Sequence, residues 1–100
     1  MKLQRPAGRG EARDADEAIR ILEARADIRL VFTDVDMPGS MDGVELSHYI
    51  RNRWPQIQLI VASGKAILDE SHLPTRSRFF PKPYGERTIV DAILGLLAAP

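Results

Sequence analysis

One hundred residues make a single domain with room for a small core. Apolar residues make up 44% and charged residues 28%, a globular balance, and the formal net charge of zero argues against a general attraction to nucleic acid or anionic membrane. Cysteine is absent, which excludes disulfides, thiolate metal sites and cysteine nucleophiles, and is compatible with a reducing cytoplasm.

Residues 1–10 are basic, include Pro6, Gly8 and Gly10, and show no period. They read as an irregular arm, with a short extended piece near Glu11-Ala12 and no apolar segment of the secretory kind. Asp14 followed by Glu17 is an N-cap and capping-box pair. Ala18, Ile19, Leu22 and Ala26 then recur at helical spacing and predict a helix over 15–25. Residues 28–33 form the first buried strand. Asp34 and Asp36 end it, and Met37-Pro38-Gly39 turns the chain.

Asp42 with Glu45 repeats the capping signal. Leu46, Tyr49, Ile50 and Trp54 give a second amphipathic helix, stopped by Pro55. Residues 57–62 form the second buried strand, ended by Ser63-Gly64. One or two helical turns are expected within 66–71, before Pro74. Residues 78–80 form a short third strand, closed by Pro81-Lys82-Pro83. The last helix spans 86–97, with Ile89, Val90, Ile93, Leu94 and Leu97 as a wide apolar face. The longest apolar run, 92–99, is too short to cross a bilayer. Alternating helices and strands imply an α/β fold, a parallel sheet with right-handed crossovers and helices on both faces.

Three strand ends bring polar groups toward one edge: Asp34 and Asp36, then Ser63, then Lys82. That edge is where open α/β sheets bind ligands. A carboxylate can act as a nucleophile toward phosphorus, a hydroxyl can donate to a phosphoryl oxygen, and an ammonium can offset its charge. A divalent metal held by carboxylates and carbonyl oxygens normally completes such a site. Taken singly, each residue has a plainer reading: a turn-forming Asp, a turn Ser, a solvated loop lysine. Their joint placement on successive strand ends is what points to a phosphoryl site. His48 and His72 lack a ligand cluster and read as surface residues. Trp54 and Tyr49 read as packing residues. Phe79 and Phe80 alternate along a strand, so one faces the core and the other a groove or helix.

These residues resemble the receiver domain of two-component response regulators. The likeness rests on Thr33-Asp34-Val35-Asp36-Met37-Pro38 through Gly43, on Ser63 after an apolar strand, and on Phe80-Pro81-Lys82-Pro83. It runs from about Glu11 to the C-terminus, so residues 1–10 stand apart as an arm and 11–100 as a partial receiver domain. The resemblance implies a flavodoxin-like, doubly wound sheet of order 2-1-3-4-5. It implies that Asp34 accepts a phosphoryl group from a histidine kinase or phosphotransfer protein in the cytoplasm. The Asp34 carboxylate and the Asp36 backbone carbonyl would ligate Mg2+. Ser63 takes the place of the switch hydroxyl, Lys82 contacts phosphoryl oxygens through a loop with a cis bond to Pro83, and Phe79 is the switch aromatic.

The chain departs from the family at its start. A receiver begins with a central strand ending in two acids, then a helix, then a second strand. Here the first strand, its acidic pair and the first helix are missing, and at most a stub of the second strand remains. Glu11, Asp14 and Asp16 are the upstream acids, and Asp14 is committed to capping. Weak Mg2+ binding and poor phosphate acceptance are therefore expected. An exposed edge on strand 30–33 and an uncovered last helix are also expected, with marginal stability and pairing into a homodimer through that edge or the last helix. A truncated or misassigned start, or a fragment of a larger hybrid kinase or regulator, accounts for the arm. With the sequence ending at Pro100, any output is expected to come from a separate protein or from sequence beyond this segment.

Two other readings fit parts of the pattern. Asp34-Val35-Asp36 resembles the Asp-x-Asp motif of haloacid dehalogenase-like phosphohydrolases, although Pro38 is atypical there and no late strand ends in paired acids. A phosphorylation-independent interaction module with a receiver-like surface suits the missing acidic pair.

Overall fold

The computed structural model describes residues 1–5, 8–36, 39, 41–64 and 70–98. In chain order the elements are β1 (Lys2–Arg5), β2 (Gly8–Glu11), α1 (Ala15–Ala24), β3 (Leu30–Asp34), α2 (Gly43–Arg53) and β4 (Gln58–Ser63), then a single 3-10 turn (Glu70–His72), β5 (Ser77–Pro81) and α3 (Glu86–Ala98). They build one mixed sheet of order β2-β1-β3-β4-β5. β3, β4 and β5 are parallel neighbours, whereas β1 is antiparallel to both β2 and β3.

The helices start where their caps direct. Asp14 accepts the Glu17 amide at 2.9 Å at the head of α1. Asp42 and Glu45 form a reciprocal capping box at the head of α2, satisfying two backbone donors that a bare helix end leaves open. At the far end of α2, Arg51 donates to the carbonyls of Thr75, Pro55 and Ile57 at 2.7–3.0 Å. One planar guanidinium thereby ties the loop after α2 to the loop before β5.

The two faces of the sheet are covered differently. One face buries Leu3, Val31 and Leu59 beneath Ala15, Ala18 and Leu22 of α1 and Leu46 and Ile50 of α2. The other buries Leu30, Phe32, Ile60 and Ala62 beneath α3, whose Ile89 is buried and whose Ile93, Leu96 and Leu97 are half-buried.

Two expectations are corrected. The first residues are not an irregular arm: Lys2–Arg5 and Gly8–Glu11 form an antiparallel hairpin. The edge of β3 is not open, because Lys2, Leu3 and Gln4 pair with Phe32, Val31 and Leu30, and the Arg29 amide adds a bond to the Gln4 carbonyl at 2.8 Å. The strand-edge route to a homodimer therefore has no free edge at β3. The last helix is partly uncovered, as expected: Val90 is 45% and Leu94 60% exposed. The cause is that, among the described residues, α3 packs with no second helix beside it on its face of the sheet. Of the helical turns expected within 66–71, residues 66–69 lie outside the described residues, and Glu70–His72 form the 3-10 turn. Met37 and Pro38 also lie outside them.

Candidate phosphoryl site

β3 and β4 run parallel with Asp34 beside Ala62, and β4 and β5 with Ser63 beside Pro81. Parallel register is what brings the three polar strand ends to one edge. The Val35 amide continues the ladder to the Ala62 carbonyl at 2.9 Å, and the Lys82 amide to the Ser63 carbonyl at 2.9 Å. The strand ends are therefore fixed to one another just where the candidate groups project.

Lys82 Nζ lies 2.8 Å from Asp34 Oδ1, with both side chains about two-fifths exposed. Oδ1 itself is shielded from solvent, and Lys82 is the cation that meets it, as an ion pair. Contact with the Asp34 carboxylate raises the Lys82 ammonium above its ordinary value of 10.5; burial opposes this, and the charges of Asp34, Tyr84 and Asp36 add to it. The Lys82–Pro83 peptide bond is cis, as the resemblance implied.

Ser63 is 2% exposed at the end of β4. Phe79 is half-buried against Val35, Val61 and Leu73, on the α2 side of the sheet. Phe80 points the other way, into the cluster beneath α3, with the Arg78 guanidinium 5.5 Å from its ring centre. Asp36 is exposed, and its charge is felt at Lys82. The sequence reading thus brought together groups that do meet: Asp34 and Lys82 in contact, with Asp36 and Ser63 at the same edge.

Gly43 has a stricter role than a turn signal. A Cβ there would collide with the Asp34 carbonyl oxygen and lie 2.8 Å from the Asp34 carbonyl carbon. The Gly43 amide donates to the Val35 carbonyl at 2.9 Å, and the buried Ser47 hydroxyl donates to the Gly43 carbonyl at 2.6 Å. The head of α2 can approach the backbone that carries Asp34 only because residue 43 has no side chain.

His48 and His72 are both exposed, and His48 Nε2 lies 3.0 Å from the His72 carbonyl, which fits their reading as surface residues. Tyr49 and Trp54 pack ring to ring at 6.2 Å. Sequence reasoning missed Lys2 and Tyr84. A cleft of about 320 Å³ is lined by Asp34 together with Lys2, Gln4, Phe32, Tyr84, Glu86 and Ile89. The Lys2-Leu3-Gln4 alternation was the available signal for β1.

Residues 7–94 match the family model described as the response regulator receiver domain. The chain belongs to that family, whose members are signalling modules of two-component systems. It is 32% identical over 83 residues to the response regulator protein FleR of Pseudomonas aeruginosa, covering 80% of this chain and 17% of that protein. A response regulator receiver protein from Sinorhizobium medicae has a similar structure, with a TM-score of 0.74 and 28% identity over 86% of this chain and 70% of that one. So does a two component transcriptional regulator AraC from Clostridium phytofermentans, with a TM-score of 0.70 and 33% identity over 85% of this chain and 64% of that one.

Receiver domains typically bind Mg2+, and the donors here fit that ion poorly. Asp34 and the Asp36 carbonyl are the expected ligands, but among the described residues no three His, Cys, Asp or Glu side chains gather. Asp14 caps α1, its Cβ close enough to Gly39 that a side chain at 39 would sit 3.3 Å away. Glu11 stands on β2, opposite Lys2, with β1 between it and Asp34. Among the described residues, no helix is long and apolar enough to cross a membrane.

Proposed function

We propose that this chain is a phosphoacceptor receiver domain of reduced competence, acting in the cytoplasm. Residues 11–100 carry the receiver function, and residues 1–10 supply strands that complete the sheet. The observation that carries the reading is the Asp34–Lys82 ion pair at a parallel strand edge, with Ser63 at the next strand end. In the proposed step an Asp34 carboxylate oxygen attacks the phosphorus of a phosphohistidine on a histidine kinase or phosphotransfer protein. The P–N bond breaks, the electron pair stays with the imidazole, and an aspartyl phosphate forms. Lys82 leaves its ion pair to hold the transferred oxygens, Ser63 donates to one of them, and Phe79 moves with the hydroxyl.

The competence is reduced because a phosphodonor and an ionised carboxylate repel, and among the described residues no cluster of acids gathers at Asp34 to hold a divalent ion between them. The test is incubation with phosphoramidate, with and without Mg2+, followed by intact-mass and peptide-level detection. Slow, incomplete labelling confined to Asp34 and lost in Asp34→Asn is expected. Rapid, complete, Mg2+-dependent labelling would refute the reduced competence, and labelling elsewhere would refute the assignment of Asp34.

A second reading, a phosphorylation-independent interaction module, is favoured by the position of Lys2 beside the site. Under that reading, binding of a partner protein is the same in Asp34→Asn as in the unaltered chain.

A further inference from the structure

The antiparallel β1 brings an unexpected group to the site. Lys2 pairs with Phe32 across the β1–β3 ladder, and Asp34 is two residues further along the same strand. Residues two apart on a strand share a face, and a diagonal neighbour lies roughly 7–8 Å away, within reach of a lysine side chain. Lys2 and Asp34 accordingly line one cleft, with Phe32, Tyr84 and Ile89 as its apolar walls. Lys82 already stands 2.8 Å from the carboxylate on the other side. Glu11, the acid nearest in the hairpin, faces Lys2 from the outer strand and is one strand spacing farther from Asp34. Glu86 lines the same cleft but does not gather with Asp34 and Asp36 into a metal-binding group.

We propose that Asp34 is served by two protein ammonium groups, Lys2 and Lys82, in place of a divalent metal ion, and that Lys2 makes the site exclude such ions. The inference rests on the reading of Asp34 as the functional carboxylate. A doubly charged cation approaching Asp34 meets a positive charge where it would need a second carboxylate. The same two ammonium groups make the cleft receptive to a tetrahedral oxyanion at the carboxylate without a metal.

The experiment is a titration with Mn2+, followed by calorimetry and water-proton relaxation, on the unaltered chain and on Asp34→Asn, Lys2→Gln and Lys2→Glu. The unaltered chain is expected to show no saturable, Asp34-dependent Mn2+ binding up to the millimolar range. Lys2→Glu is expected to gain Asp34-dependent binding, tighter than any residual binding by about tenfold or more, since the change replaces a repelling charge by an attracting one. Lys2→Gln is expected to fall between them, and it guards against misfolding of Lys2→Glu. Saturable sub-millimolar binding by the unaltered chain, abolished in Asp34→Asn, would overturn the proposal. So would affinity that is unchanged in both Lys2 variants while their circular dichroism matches that of the unaltered chain. Phosphoramidate labelling is a separate measurement: its failure counts against the phosphoacceptor reading and leaves the Mn2+ result standing.

Discussion

The two faces of this sheet are held by different means. On the α1/α2 face, apolar side chains from both helices and three strands close over one another, and Leu3, Ala15, Ala18, Val31, Leu46, Ile50 and Leu59 are fully buried. On the α3 face the cluster is smaller, α3 does the covering among the described residues, and Val90 and Leu94 remain in solvent. The hairpin fits this asymmetry. Leu3 points into the crowded face, while Lys2, Gln4 and Glu11 lie on the face where, among the described residues, no helix covers β1 and β2. A strand with one apolar residue between two polar ones can be buried on one side and wet on the other. Little apolar surface is therefore bare at the hairpin, and the exposed large apolar side chains among the described residues, Val90 and Leu94, lie on α3.

The contrast is most directly broken at Leu3. Truncation to Ala removes the side chain that joins β1 to the α1/α2 core and should cost about 3 kcal/mol, within the usual 2–5 for a buried Leu. The matching change at the exposed Leu94 should cost well under about 1 kcal/mol. Urea unfolding of both variants measures the difference. Equal effects would mean that the hairpin is not integral to the fold.

Glycine provides the second comparison. Gly43→Ala drives a Cβ into the Asp34 backbone and should destabilise by about 2–3 kcal/mol while displacing the site. Gly95, on α3, has nothing within 4 Å of an added Cβ, so Gly95→Ala should stabilise by about 0.5–1 kcal/mol. Thermal melts of the two variants should move in opposite directions. A fall in melting temperature for Gly95→Ala would show that α3 is crowded in solution.

How much of this could be read from the residues follows the same division. β3 and β4 were legible because a strand buried on both faces needs an unbroken apolar run, and Leu30–Thr33 and Leu59–Ala62 supply one. The helix heads were legible because Asp14 and Asp42 act locally, through amides three residues away. Asp34, Ser63 and Lys82 were legible as strand ends, and the parallel register did the rest. β1 and β2 were not. Gly8-Arg9-Gly10-Glu11 has no strand propensity, and Lys2–Arg5 holds one apolar residue. They form strands because the edge of β3 needs partners and Leu3 has a slot beneath α1, and both causes lie far away in sequence. The partial exposure of α3 was expected from the family resemblance rather than from the helix itself: an apolar face shows what a helix can bury, not whether a neighbour is there to bury it.

The smallest expected effect is the one nearest the proposed chemistry. A double-mutant cycle of Asp34→Asn and Lys82→Met should give a coupling below about 1 kcal/mol, because both side chains are about two-fifths exposed and water screens the pair. Its pH dependence has a definite sign. The folded state holds the Lys82 proton more tightly than the ordinary lysine value of 10.5, so the contribution is complete below 10.5 and is lost as pH rises through the raised folded value. Stability measured from neutral to strongly alkaline pH should therefore converge between the unaltered chain and Lys82→Met as the lysine titrates. Lys2 sharpens the comparison, since it lies on the same face but on the hairpin. If Lys2 also serves Asp34, Lys2→Gln should increase the Asp34–Lys82 coupling, because one ammonium then does what two shared. A coupling unchanged by Lys2→Gln would place Lys2 in solvent and return the charge balance of the site to Lys82 alone.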